Sequence, residues 1–191
     1  MSDMRSQLLE AAAELFAEHG YEGASMRDIA KAVGVTQANL YYHFEGKADL
    51  IEATLAHIFG TSAELLEAWL ADHPDDQLRA FVRWLVQALM TDRIFARLLY
   101  RELVDGDEAR IESLSRTVLQ KPFKPLVAAV SRGRTIEAAR ATALSIIGCA
   151  IGQVLVLPLA PGLTERDHEP ENVDAVVERL FSLIQSSLAE I

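Results

Sequence analysis

The stretch that decides the fold is residues 25–47, which has the sequence SMRDIAKAVGVTQANLYYHFEGK. Ser25 followed by Asp28 has the spacing of a capping box, and Gly34 is placed to end that helix in the left-handed conformation. Thr36 then occupies the N-cap position of a further short helix. Two short helices joined by a tight glycine turn, with a packed helix before them, indicate a helix-turn-helix.

The second short helix, predicted over residues 37–43, has one apolar and one polar side. At 100° per residue, Thr36, Leu40 and Phe44 fall on one side, which we expect to face the core. The opposite side carries small, amide, tyrosine and histidine side chains, namely Gln37, Ala38, Asn39, Tyr41, Tyr42 and His43. A buried structural helix does not need such residues on its outer face, so this surface is predicted to make contacts.

The chemistry of that outer face fits the major groove of DNA. The amides of Gln37 and Asn39 can pair with base edges, and Ala38 is small enough to allow close approach. Tyrosine and histidine side chains donate to phosphate oxygens, and helix N-termini attract phosphate through their free N–H groups. We therefore predict DNA contacts from Ser25, Arg27, Thr36, Gln37, Ala38, Asn39, Tyr41, Tyr42, His43 and Lys47.

The rest of the chain also has helical periodicity, so the predicted fold class is all-α with about nine helices. An N-terminal helix has an apolar stripe, formed by Leu8, Leu9, Ala12, Leu15 and Phe16, and Gly20 is its predicted C-cap. Further helices are predicted over 47–71, 75–90, 92–103, 107–130, 135–156 and 171–189. We expect Pro122 and Pro125 to kink or break one of them. Pro158, Pro161 and Gly162 predict a loop.

The overall charge opposes nucleic-acid binding, because the chain has a net charge of −10. Residues 1–47 hold four Lys and Arg residues against seven acidic ones. A DNA-binding interpretation therefore depends on local geometry at the helix-turn-helix. The single cysteine, Cys149, excludes a disulfide framework and is expected to be a small buried residue. No secretory signal precedes the first helix, so a cytoplasmic location is expected.

Residues 141–164 contain no charged side chain, which leaves two interpretations. A run of this length can span a bilayer. Its small and polar residues and the early proline instead favour a helix that packs closely against another helix, and dimerisation is the natural way to bury it. The predicted dimer interface consists of Ala141, Ser145, Gly148, Gly152, Phe181 and Ile184.

The N-terminal region resembles the DNA-binding domain of TetR/AcrR-type repressors. The resemblance rests on residues 14–21 (ELFAEHGY), 25–30 (SMRDIA), 34–35 (GV) and 40–44 (LYYHF), followed by Lys47. It implies base contacts at Gln37, Ala38, Asn39 and Tyr41, and phosphate contacts at Tyr42, His43 and Lys47. Many relatives carry Lys in place of Gln37 and a basic or Pro-Ser pair in place of Glu45-Gly46, so weaker, more salt-sensitive binding is expected here.

The resemblance also implies an architecture and a mechanism. It predicts a DNA-binding domain over residues 1–46 and a ligand-binding and dimerisation domain over 47–191. The homodimer is expected to bind near-palindromic double-stranded operator DNA and to release it when a small-molecule effector fills a cavity in the second domain, with no cofactor, metal or membrane involved. Candidate effector contacts are Phe59, Trp69, Phe81, Trp84, Phe95, Tyr100 and Phe123, although core packing is the favoured explanation for each of them.

Two other classes of function compete with this one. An enzyme is not supported, because the sequence has no nucleophile elbow, phosphate-binding glycine loop or metal-spaced histidine pair. A helical small-molecule-binding or scaffold protein without DNA activity explains the bundle but leaves the outer face of residues 37–43 unexplained. Arg93, Arg97 and Arg101 recur every four residues, a spacing that allows them to bind an acidic group but favours a solvated face paired with Glu102, Asp105 and nearby acidic residues.

Overall fold

The computed structural model describes residues 3–164 and 171–189, and all regular structure in this part of the chain is helical. The helices are α1 (Met4–Gly23), α2 (Met26–Val33), α3 (Gln37–His43), α4 (Lys47–Asp72), α5 (Gln77–Thr91), α6 (Arg93–Asp105), α7 (Glu108–Leu114), α8 (Gln120–Ala129), α9 (Ile136–Val156), α10 (Ala160–Thr164) and α11 (Val173–Ala189). The all-α prediction is confirmed, and the predicted helix boundaries lie within a few residues of those observed.

The segment predicted as one helix over 107–130 is helical throughout but irregular. A π-helical turn, Ser115–Leu119, connects α7 to α8 without a break. Pro125 lies inside α8, and Pro122 is buried there. A π turn changes the hydrogen-bonding register of a helix, so it accommodates a nearby proline that lacks an N–H group. With α7 and α8 taken as one helix and the short α10 set aside, the described residues form nine helices.

The chain divides into two compact units whose boundaries differ from the predicted domains. One unit contains residues up to 63 together with Arg93–Gln120, and the other contains Glu64–Asp92 and Lys121–Ile191. In the first unit, α1 packs against α2 and α6, and α2 packs against α3. In the second, α5, α9 and α11 pack against one another. The predicted boundary at residue 46, between a DNA-binding and a ligand-binding domain, stays a prediction, because the limits of compact units need not coincide with those of functional domains.

Two sequence-based expectations about the α9 region are wrong. Cys149 is exposed, because α9 buries only the face that carries Ala139, Ala143, Ile146 and Ala150. The predicted loop after α9 contains a 3-10 turn, Leu157–Leu159, and then α10. Prolines are tolerated in the first turn of a helix, so proline there does not require a loop.

The same region leaves an apolar surface uncovered within the protomer. Ile136–Leu163 is long and apolar enough to cross a membrane, but the core helix of a soluble protein can have the same length and composition. Most of the segment is not buried. Its exposed large apolar side chains are Ile136, Leu144, Leu155, Val156, Leu159 and Leu163.

Candidate nucleic-acid interface

The two short helices of the predicted helix-turn-helix are fixed by their end caps. The Asp28 N–H donates to Ser25 Oγ (3.1 Å), and the Ser25 hydroxyl donates in turn to the Asp28 carboxylate. Gly34 ends α2 with φ 77°, a left-handed value that favours glycine. The Asn39 N–H donates to Thr36 Oγ1 (3.3 Å) at the start of α3. These contacts confirm the predicted caps and place α3 directly after the turn.

Helix α3 buries one side and leaves the other open. Leu40 is fully buried and Phe44 is 2 % exposed, as predicted. Tyr42 is 85 % exposed and Tyr41 51 % exposed, which is unusual for such large apolar rings. The side chains of Gln37, Ala38 and Asn39 are exposed too, and His43 is half-buried with its ring against the edge of Tyr42 (5.2 Å between centroids).

Thr36 does not face the core as the helical angle predicted. It is exposed, with extended backbone angles (φ −80°, ψ 154°), because an N-cap residue lies outside the helix and does not follow its 100° repeat. Ser25 is half-buried, and Arg27 is exposed. Both lie at the start of α2, on the N-terminal side of the turn.

Lys47 is held within the protein at the beginning of α4. Its Nζ lies 4.5 Å from the centroid of the Tyr21 ring and donates to the Glu22 carbonyl (3.4 Å). The Glu45 N–H donates to the Asp49 carboxylate (2.9 Å), which caps the same helix end. Lys47 therefore has a structural contact that the sequence did not reveal, since Tyr21 precedes it by an entire helix-turn-helix.

The aromatic candidates for effector binding fall into two groups. Phe59, Phe81 and Phe95 are buried, and the rings of Phe59 and Phe95 meet edge to face (5.1 Å between centroids). The half-buried candidates are Trp69, Trp84, Tyr100 and Phe123. The Trp69 Nε1 and Tyr100 Oη atoms are buried and have no hydrogen-bond partner among the described residues. Burial also raises the pKa of Tyr100, so its hydroxyl stays protonated.

A cavity of about 920 Å³ lies within the first compact unit, and none of the effector candidates lines it. Its walls come from the end of α1, the beginning of α4, the end of α6 and the beginning of α7. Arg101, Glu102 and Arg110 are among its lining residues. Glu102 is 7 % exposed and accepts from Arg110 Nε (2.8 Å) and Nη2 (3.3 Å). The predicted pairing of Glu102 with the α6 arginines is therefore wrong.

The dimer candidates also differ in exposure. Ala141, Ser145 and Gly148 are exposed. A Cβ atom added at Gly148 or Gly152 meets no atom of the described residues within 4 Å. Phe181 and Ile184 are each 7 % exposed and pack inside the second unit. Because α11 turns those two side chains inward, the exposed large apolar residue among its described side chains is Leu183, which the sequence pattern did not single out.

The chain has relatives among known regulators. Residues 8–54 match the family model described as bacterial regulatory proteins, tetR family. The biofilm operon icaADBC HTH-type negative transcriptional regulator IcaR of Staphylococcus aureus is 26% identical over 127 residues, covering 59% of this chain and 68% of that protein. The IcaR of Staphylococcus epidermidis is 32% identical over 73 residues, 38% of each chain.

Solved structures share the fold over nearly the whole chain. The transcriptional regulator FadR from Bacillus subtilis, in complex with stearoyl-CoA, has a TM-score of 0.75 at 19% identity and covers 94% of this chain and 96% of its own. A transcriptional regulator from Saccharomonospora viridis, in complex with choline, has a TM-score of 0.72 at 17% identity, with 97% of each chain covered.

Proposed function

We propose that this chain is a homodimeric repressor of the tetR family, whose model it matches over residues 8–54, and that it binds near-palindromic operator DNA through α3. The observation that carries the proposal is the outer face of α3. Two exposed tyrosines and two exposed amides surround Ala38, while Leu40 fixes the opposite side in the core. Such a face offers amide groups for base edges and hydroxyl groups for phosphates.

The predicted contacts divide by chemistry and position. Gln37, Ala38, Asn39 and Tyr41 are proposed to contact bases, and Tyr42 and His43 phosphates. Arg27, Ser25 and Thr36 are proposed to contact the backbone at the two helix starts. Lys47 is proposed to contact phosphate as well. Its ammonium then either leaves the Glu22 carbonyl oxygen or donates to that oxygen and to a phosphate oxygen at the same time.

A dimer matches the symmetry of such an operator. Two-fold related α3 helices in successive major grooves lie about 34–36 Å apart. The outer face of α9 is proposed as the dimer interface, because Ala141, Ser145, Gly148 and Gly152 let a partner helix approach closely between exposed leucines. We add Leu183 of α11 to this interface in place of Phe181 and Ile184, which are buried in the protomer.

A small-molecule effector is proposed to release the operator. The related folds of FadR and the S. viridis regulator were solved with stearoyl-CoA and choline, which supports a ligand-responsive fold. Within the first compact unit, Tyr100 is the favoured effector contact, because a buried polar atom without a partner costs about 1–3 kcal/mol and a ligand can restore the missing bond. Effector binding is proposed to pivot α4, which begins directly after the DNA-binding helices.

Repression rather than activation is supported by IcaR, whose name describes a negative regulator. The same relationship supports a cytoplasmic location and a protein that is not an enzyme. The competing function is a helical scaffold without DNA activity, for which the exposed Tyr42 has no evident use.

The decisive experiment separates loss of DNA contact from loss of folding. Duplexes that the wild-type protein selects from a random library are used in gel shifts with Gln37→Ala and Tyr42→Ala. The matched control is Gln87→Ala, which changes an exposed side chain of α5. We expect both α3 variants to lose the shift while their Tm and that of the control stay at the wild-type value. Unchanged shifts by both α3 variants contradict the proposal.

A further inference from the structure

The three arginines spaced along α6 do not share one role. Arg97 is exposed and makes no hydrogen bond or ion pair with the described residues. Arg101, one turn later, is half-buried and contacts α1 within the same compact unit. Its Nε donates to the Ala17 carbonyl (3.3 Å), and its Nη2 donates to the Glu18 carbonyl (3.1 Å). Arg101 therefore acts on the backbone of the first helix of the DNA-binding region.

Those carbonyls belong to the last turn of α1 before its kink. Gly20 has φ 74° and ψ 176°, which ends the regular helix there. The turn before Gly20 contains His19 but no lysine or arginine of its own. A cation at a helix C-terminus is stabilising because the carbonyl dipoles point toward it. Arg101 supplies this cation from α6.

Arg101 also approaches position 20 closely. A Cβ atom built there lies 2.8 Å from Arg101 Nη1, which is too close for an undisturbed contact. A positive φ already favours glycine at this position. The backbone conformation therefore requires glycine at position 20, and any larger residue there also has to displace the guanidinium of Arg101.

A second set of contacts connects the last residues of α1 to α7 and α4. Arg110 lies over the Tyr21 ring at 5.5 Å, and the ammonium of Lys47 lies 4.5 Å from the same ring. Arg110 is held by Glu102, the residue after Arg101. The end of α1 is therefore fixed by α6 directly and by α7 through Tyr21. Since α1 packs against α2, and α2 against α3, these contacts reach the DNA-reading helix.

We propose that Arg101 is a positioning residue for DNA binding, which by capping α1 holds the DNA-reading helices in a fixed orientation on α6. This inference rests on the proposed function. The planar guanidinium donates to two carbonyls at once, which a lysine ammonium on a flexible stem does not reproduce as well. A shift of α6 then moves α1 with it, so a change in α6 reaches α3 without any residue of α6 touching DNA.

The test uses the full-length protein and a duplex selected by the wild type. Operator affinity and hydrogen exchange are measured for Arg101→Ala, Arg101→Lys and the matched control Arg97→Ala, with and without DNA. In the wild type and in Arg97→Ala, we expect DNA to slow exchange in residues 98–111 as well as in α1–α3. In Arg101→Ala, we expect the slowing in 98–111 to disappear and affinity to fall about tenfold, since one or two charge-assisted hydrogen bonds are lost.

Each outcome decides the matter. Arg101→Lys is expected to lie between the wild type and Arg101→Ala, and it carries the test if the alanine variant does not fold. Slowing in 98–111 that persists in both variants overturns the inference, even if their Tm falls, because a merely structural arginine gives that result. Absence of any slowing there in the wild type overturns it too. A wild type that selects no duplex instead refutes the proposed function, and the inference with it.

Discussion

Replacing Gly20 with alanine perturbs the end of α1 in two ways that can be separated. The alanine has to adopt φ 74° and ψ 176°, a region of backbone space used almost only by glycine. Its Cβ atom also lies 2.8 Å from Arg101 Nη1, so the guanidinium has to move. Both effects destabilise the first compact unit, and only the second depends on Arg101.

The magnitudes follow from these two contacts. An alanine in this backbone region costs about 1–3 kcal/mol. Displacing Arg101 weakens its hydrogen bonds to the Ala17 and Glu18 carbonyls, which are worth about 1–2 kcal/mol together because the arginine is only half-buried. We therefore expect Gly20→Ala to lower the free energy of unfolding by about 2–5 kcal/mol. Gly34→Ala, with φ 77° and no atom within 4 Å of its Cβ, is expected to cost only about 1–2 kcal/mol.

Urea unfolding at a fixed protomer concentration measures these differences. Gly20→Ala, Arg101→Ala and the double variant form a double-mutant cycle, with Gly34→Ala in place of Gly20→Ala as the control cycle. In the Gly20 cycle, the double variant is expected to lose about 1–2 kcal/mol less than the two single changes combined, because the arginine contact is lost only once. The control cycle is expected to be additive. Additivity in the Gly20 cycle refutes the assigned contact between position 20 and Arg101.

Three further outcomes are expected. Leu40→Ala removes a fully buried side chain and is expected to cost about 2–5 kcal/mol in urea unfolding, whereas Tyr42→Ala stays within about 0.5 kcal/mol; equal losses contradict the two-sided α3. Glu102→Gln leaves Arg110 without its carboxylate and is expected to cost up to about 3 kcal/mol, and an unchanged unfolding midpoint disproves that role. A Cβ atom at position 148 meets no atom of the described protomer within 4 Å, so light scattering of Gly148→Glu is expected to show folded monomers; a dimer excludes α9 as the interface.

The features that the sequence predicted well depend on neighbouring residues. Ser25 with Asp28, Thr36 with Asn39, and Gly34 act within one turn of chain, and all three caps form as expected. Helical periodicity similarly places Leu40 in the core. Such signals need no knowledge of how distant helices pack.

The features that the sequence did not predict depend on distant residues. Arg101 and Ala17 are separated by much of the chain, and nothing in the spacing of the α6 arginines distinguishes Arg101 from Arg97. The absence of lysine and arginine from the turn before Gly20 is a weak signal that another helix caps it. Cys149 was misplaced because an evenly apolar α9 does not indicate which of its faces the protomer leaves exposed.

The most direct test of the account is binding-site selection with the wild type and Asn39→Ala. We predict that the wild type enriches a near-palindromic sequence, and that Asn39→Ala loses preference at one symmetric pair of positions while affinity falls by about 1–3 kcal/mol. If the wild type enriches no common sequence, or if Asn39→Ala enriches the same sequence equally well, the outer face of α3 does not read DNA.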